Sequence, residues 1–523
     1  MADGPSGSDK PIRTVVIVGG GNAGWIAAAR IAARNGGDTA AGVQVILVES
    51  STVPTIGVGE GTWPTMRNTL AKIGITETEF IRSSDAAFKQ GAKFVGWTDG
   101  SPEDAYYHPL NAPAGAAELN LSPHWEMLKG DLHRSFAHSV DFQGALCDAG
   151  LAPKAITAPE YAGVANYAYH LDAGRFTDLL RSFAIERLGV RHMIDDVVDV
   201  VLADDGDIER LKLKSGAEIA GDLFVDCSGF AALLIGGVYQ VPFRQCGHIL
   251  FADRAIAMQV PYADEAAPIT CHTVSTAQDA GWIWDIGLWT RRGTGYVYSS
   301  AHVSDDEAEA TLRRYVGPAA EKLSSRRIPI NSGHREWFWH RNCVAVGLSA
   351  GFLEPLEASA LMLVETSVDA IADRLPRTRG AMEVIGRQFN AAFRHHWDRI
   401  IEFLKLHYVL TKRTDTAFWR DNVAPGSIPD ALQERLSLWR EHPPTPQDFT
   451  HSPEVFSWPS YQYILHGMGF ETRYSGLARV NREAATAQRW LKRVEALREE
   501  AMRKLPRHRE LIGKIREHGL QVI

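Results

Sequence analysis

The chain has 523 residues, 45% of them hydrophobic and 23% charged, which is enough for two or three packed units with an ample core and no disulfide staples. A formal charge of −8, with Lys and Arg scattered along the chain, excludes the concentrated basic face of a nucleic-acid binder. The five cysteines (147, 227, 246, 271 and 343) form no CxxC pair, which argues for a reducing, cytoplasmic setting and against a structural zinc site, so no metal is expected.

Residues 1–11 are polar and Gly/Ser-rich and read as a disordered tail. TVVIV at 14–18 is a β-branched run suited to a buried parallel strand. Glycines follow, then a helix from about Ala23 to Arg34, then a second strand in VQVILVES (43–50). That βαβ opening predicts an α/β fold. No cleavage site follows the first apolar stretch, and the apolar run at 343–372 is cut by Glu354, Glu357, Glu365 and Asp369, so no membrane association is expected. Residues 98–160, rich in Gly, Pro, Ala and His, read as a long excursion from the core. A helix is expected over 174–189, strands over 191–226 and again over 246–300. From about 358 onward the pattern is helical, with amphipathic segments at 358–374, 380–408, 428–441 and 480–519.

GGGNAG (19–24) contains GxGxxG between the first strand and helix. In such a turn Gly19 allows the tight bend, Gly21 lets a pyrophosphate reach the backbone, and Gly24 lets helix and strand pack closely. Glu49 ends the next strand, placed to accept from a ribose hydroxyl. The pattern fits FAD and NAD equally. Trp25 and the pair Trp282 and Trp284 are by spacing ordinary core residues. Lys89, in AFKQGAKF, reads by itself as a solvated surface lysine. Glu357 precedes a helix, where a carboxylate complements the free N–H groups, and that helix start could equally bind an anion.

Together these segments resemble the FADH2-dependent tryptophan halogenases. The resemblance is carried by GGGNAGW (19–25), IGVGEGTWPTMR (56–67), AFKQGAKFVGW (87–97), FVDCSGF (224–230), GWIWDIG (281–287), GYVYSS (295–300), GFLEPLEAS (351–359) and HYVLTKRTDTAFWRDN (407–422). It spans roughly residues 12–475. It implies an FAD-binding Rossmann-type domain of the glutathione-reductase or flavin-monooxygenase kind over 12–375. The excursion 98–160 would contribute to a largely helical substrate module over 376–523. It further implies that FADH2 from a separate flavin reductase, O2 and a halide (bromide or chloride) give hypohalous acid, which halogenates a small, indole-like aromatic substrate.

By the same resemblance Lys89 holds the oxidant and Glu357 accepts the proton lost from the ring, while the backbone of Ser359 and Ala360 holds halide. The cofactor is expected to touch Gly19, Gly21, Asn22, Ala23, Gly24, Glu49, Val197, Trp282, Trp284, Leu348 and Leu361. His108, Leu110, Phe456, Trp458 and Tyr461 are expected to line the substrate pocket. Three departures stand out: Gly287 replaces the proline of GWxWxIP, Ala358 replaces a serine, and 441–467 lacks the Tyr-Tyr pair and glutamate that clamp free tryptophan. The expectation is therefore an indole other than free tryptophan. The rivals are a flavin-dependent aromatic hydroxylase and a non-catalytic flavin-binding sensor or scaffold.

Overall fold

The computed structural model describes residues 10–37, 42–53, 59–449, 451, 454–473 and 477–521. Six strands form the sheet that carries the glycine-rich turn, in the order Trp339–His340, Cys343–Ala345, Leu223–Asp226, Thr14–Val18, Gln44–Glu49 and Arg191–Ile194. All pairings are parallel except the one at the Trp339–His340 edge. Val15, Val16 and Ile17 are wholly buried, which is why this strand reads as a continuous apolar run rather than an alternating one. Asn22–Asn35 returns along the sheet and packs against the helices Ala173–Leu188 and Ser359–Asp373. The chain is thus α/β with the parallel sheet that the resemblance implied.

A seven-stranded sheet follows the order Ser325–Pro329, Arg254–Pro261, Arg291–Tyr298, Gly281–Gly287, Thr273–Gln278, Gly91–Val95 and Ala105–Pro109. A small third sheet orders Gly59–Gly61, Ala168–Asp172 and Ala87–Lys89. Lys89 therefore ends one strand, and after Gln90 the chain enters the larger sheet at Gly91.

Three local expectations need correction. Residues 10 and 11, read as tail, are tied down: the Arg379 amide donates to Lys10 O and Pro11 bridges Thr378. Residues 1–9 lie outside the described residues. The excursion 98–160 is more regular than its composition suggested, with the strand Ala105–Pro109 and the helices Ser122–Leu132, Phe136–Val140 and Gln143–Asp148. Three of these elements have five or six residues, too few to show a period, and the 11-residue helix Ser122–Leu132 buries Ser122, His124 and Trp125 rather than an apolar stripe. The helix expected over 480–519 is two, Leu477–Lys504 and His508–His518, broken at Pro506, whose ring lacks an amide proton and constrains the preceding residue. No described helix is long and apolar enough to cross a membrane.

Candidate functional site

The glycine-rich turn and Glu49 open onto a cavity of about 1130 Å³. Gly19 has φ +118°, and a Cβ there would collide with the Cys227 carbonyl. A Cβ on Gly24 would collide with the Gly19 carbonyl, so this glycine serves helix–strand packing and does not line the cavity. Gly21 has nothing within 4 Å of where its Cβ would stand. It is the open face through which a pyrophosphate can approach the amides of Asn22–Asn35. Glu49 accepts from Trp25 Nε1 at 3.3 Å and lies 3.2 Å from His192 Nε2, which fixes its carboxylate over the turn. Trp25 is wholly buried, so it is core, as its spacing suggested, and it also orients the Glu49 carboxylate.

Gly19, Gly21, Asn22, Ala23, Glu49, Val197, Trp284, Leu348 and Leu361 all line this cavity. Trp282 does not. It is buried and donates through Nε1 to Glu354 Oε2 at 3.0 Å, an oxygen that also accepts from Tyr408 at 2.7 Å. Its place is a polar knot behind the wall, although it shares a strand face with Trp284. The amides, apolar walls and acidic ribose acceptor fit a flavin dinucleotide.

Lys89, Glu357, Ser359 and Ala360 line the same cavity, although 268 residues separate the first two in sequence (357 − 89). Lys89 is 4% exposed, not the surface lysine its local sequence suggested. Its Nζ donates to Thr62 O at 3.2 Å, which leaves two N–H groups for a ligand. Burial pulls its pKa down to about 8, with the Glu357 charge pulling the other way. Near neutral pH most of it is an ammonium, and the free amine is close at hand.

Glu357 is 7% exposed and does not complement the following helix through its side chain. Oε1 meets His108 Nδ1 at 2.9 Å and lies 3.2 Å from His407 Nε2. Burial pushes this carboxyl up, but the two histidines outweigh it and hold it well below the usual carboxylate range. His407 Nδ1 in turn pairs with the Tyr106 hydroxyl at 2.9 Å. The Glu357 carbonyl accepts from Trp63 Nε1 at 2.8 Å. The helix Ser359–Asp373 starts from Ala358 in the left-handed region (φ 53°), with no side-chain cap. Its first N–H groups are therefore left for an anion at Ser359 and Ala360.

Of the expected substrate residues, His108 reaches Glu357 directly. Phe456 stacks on Phe403 at 3.7 Å and meets the edge of Trp63 at 4.9 Å. Leu110 is half-buried, its amide donating to Gln143 and its carbonyl accepting from Asn166. Trp458 is half-buried at the first turn of Trp458–Gly467. Tyr461 is buried among Trp439, Phe449 and Phe403, a core position. None of these five lines the flavin cavity. Sequence reasoning missed His407, Tyr106 and Trp63 as members of the site. His407 and Trp63 stood inside quoted motifs, but nothing in their local pattern marked a role.

The tryptophan halogenase family model matches residues 14–483. The tryptophan 6-halogenase SttH of Streptomyces toxytricini is 35% identical over 87% of this chain and 89% of its own. The tryptophan 7-halogenase RebH of Lentzea aerocolonigenes is 33% identical over 82% of each chain. A solved tryptophan halogenase from Shewanella frigidimarina is 44% identical, covers 99% of this chain and 100% of its own, and superposes with a TM-score of 0.95. With these matches spanning both the cavity and the Lys89–Glu357 site, the chain belongs to the flavin-dependent tryptophan halogenases.

Proposed function

We propose that this enzyme halogenates an indole lacking the amino-acid zwitterion in preference to free tryptophan, drawing FADH2 from a separate reductase. Reduced flavin in the cavity supplies, with O2 and halide, the electrophilic halogen. The observation that carries the substrate reading is how the acidic residues of 441–467 are occupied. Asp448 caps its own turn, accepting from the Thr445 amide at 2.8 Å and from Trp439 Nε1 at 3.3 Å. Both Glu454 oxygens lie 3.1 Å from His395 Nε2. Glu441 is on the surface, 3.9 Å from Arg473. The ammonium of free tryptophan would find Asp448 and Glu454 already engaged and Glu441 out in solvent. Burying such a charge without a partner costs at least about 2 kcal/mol, on the order of thirtyfold in kcat/KM.

In this reading the Lys89 ammonium donates to hypohalous oxygen and polarises the halogen toward the ring, while Thr62 holds Nζ in place. A carboxylate kept as deeply ionised as Glu357 is a weak base but a persistent negative charge. It stabilises the positive charge that develops on the ring while the released proton leaves for solvent. Ser359 and Ala360 present backbone N–H groups to halide.

Competition between indole and L-tryptophan under one reductase, read by mass spectrometry, tests the substrate reading. Indole should win, with halogen at C3, where a loosely held ring is most nucleophilic. A clear preference for L-tryptophan, halogenated on the benzene ring, would overturn it.

A further inference from the structure

Behind Lys89, outside the flavin cavity, three ligand-type side chains meet. Cys147 comes from the helix Gln143–Asp148, while Cys271 and His272 precede the strand Thr273–Gln278. One thiol or ring nitrogen from each lies within 4.8 Å of the other two, and all three residues are buried. Cys271 is wholly buried, and Cys147 and His272 are 5% and 7% exposed. His272 Nδ1 meets no hydrogen-bond partner of ordinary geometry among the described residues, and the hydrogen bond given to this imidazole within the cluster is to the neighbouring Cys271 thiol, a weak partner for a buried nitrogen. The nearby polar groups are otherwise engaged. His508 Nε2 accepts from the Phe88 amide and Nδ1 donates to Ile269 O. Asp148 is taken by Tyr107 and His138.

We infer that Cys147, Cys271 and His272 form a binding site for a thiophilic d10 cation, Zn2+ or Cu+. Two sulfurs and one imidazole, all buried, are the donor set such ions select, and hard cations such as Mg2+ and Ca2+ are disfavoured there. The donor atoms, within 4.8 Å of one another, would have to close by up to about an ångström to stand at metal–ligand distances of about 2.0–2.3 Å from one ion. Binding converts both thiols to thiolates and releases their protons to solvent. The site would pin the 98–160 excursion to the strand edge that carries Lys89, because the Cys271 carbonyl accepts from the Gln90 amide at 2.7 Å. The cysteine spacing pointed away from a metal because it registers only neighbours in sequence. Here the fold joins residues 124 apart.

The full-length protein, stripped with a chelator under reductant, is titrated anaerobically with Zn2+ and, separately, with Cu+ against competing chromophoric chelators. One equivalent of one of these ions should bind with submicromolar affinity, shield two of the five thiols from a thiol reagent and raise Tm. Cys271→Ser should lose that equivalent and the shielding, His272→Ala should weaken binding at least tenfold, and Cys246→Ala should keep both. Wild-type protein that is folded and fully reduced yet binds neither ion would overturn the proposal. So would binding undiminished in Cys271→Ser, or a Cys147–Cys271 disulfide in the protein as purified.

Discussion

Glu357 shows how much of the site depends on single contacts. Its charge is maintained by His108 on one side and His407 on the other, with Tyr106 holding His407. Glu357→Gln keeps the shape and removes the charge. It should lower kcat by ten- to a hundredfold, about 1.4–2.8 kcal/mol of transition-state stabilisation, without altering flavin affinity. Single-turnover rates with pre-reduced flavin measure this, and an unchanged rate would remove Glu357 from the chemistry. Gly287 is a second such position. A Cβ there would stand 2.8 Å from Ile269 Cγ2 and 3.0 Å from the Thr270 backbone. Restoring the family's proline should therefore destabilise this enzyme by about 1–3 kcal/mol, seen as a lower Tm; an equal or higher Tm would contradict the packing described. Lys89 and Glu357 were legible in the sequence only through their motifs, since each taken alone suggested a surface lysine or a helix-start carboxylate. The contacts of Glu357 were not legible, because residues 108, 357 and 407 become neighbours only in the folded chain.

At the scale of elements, the helix Ser359–Asp373 joins the Glu357 end of the site to the helix Asn22–Asn35 that follows the glycine-rich turn. On it Glu365 is 2% exposed and accepts from Thr69 Oγ1 at 2.5 Å and Thr65 Oγ1 at 3.2 Å. Burial pushes its pKa from 4.5 up to about 8, against the pull of those two hydroxyls. The folded state therefore holds this proton while the unfolded chain releases it near pH 4.5. The stabilisation is complete below that pH and is lost as pH rises through about 8. Glu365→Gln should gain stability relative to wild type between pH 5 and pH 9, measured by chemical denaturation across that range. A difference that stays constant, or falls with pH, would contradict this assignment. The main elements were legible because their local patterns are strong: the strand Thr14–Val18 lies where a continuous β-branched run put it, the helix Asn22–Asn35 follows the glycine-rich turn, and the long helix Arg379–Val409 lies where 3.6-residue spacing put it. The helices of the excursion and the break at Pro506 were not, because tertiary packing rather than local pattern decides the one- or two-turn helices Phe136–Val140 and Gln143–Asp148, and Ser122–Leu132 carries no apolar stripe.

Over the whole molecule, the glycine-rich turn opens onto a cavity of dinucleotide size, and the sequence holds no second fingerprint for a nicotinamide. The purified protein supplied with FAD should therefore oxidise NADH no faster than free flavin does, and should acquire activity when a flavin reductase is added. Rapid NADH oxidation by the protein alone would mean that it reduces its own flavin. The central claim, that the flavin cavity delivers an electrophilic halogen through Lys89, is tested most directly by product mass. Wild type and Lys89→Ala are each given indole, bromide, O2 and FADH2 from one reductase. Wild type should yield bromoindole with the paired bromine isotopes, and Lys89→Ala should yield none above the enzyme-free background while binding FAD as tightly. Bromoindole formed at near wild-type rate by Lys89→Ala, or a wild-type product that carries oxygen in place of bromine, would contradict the account.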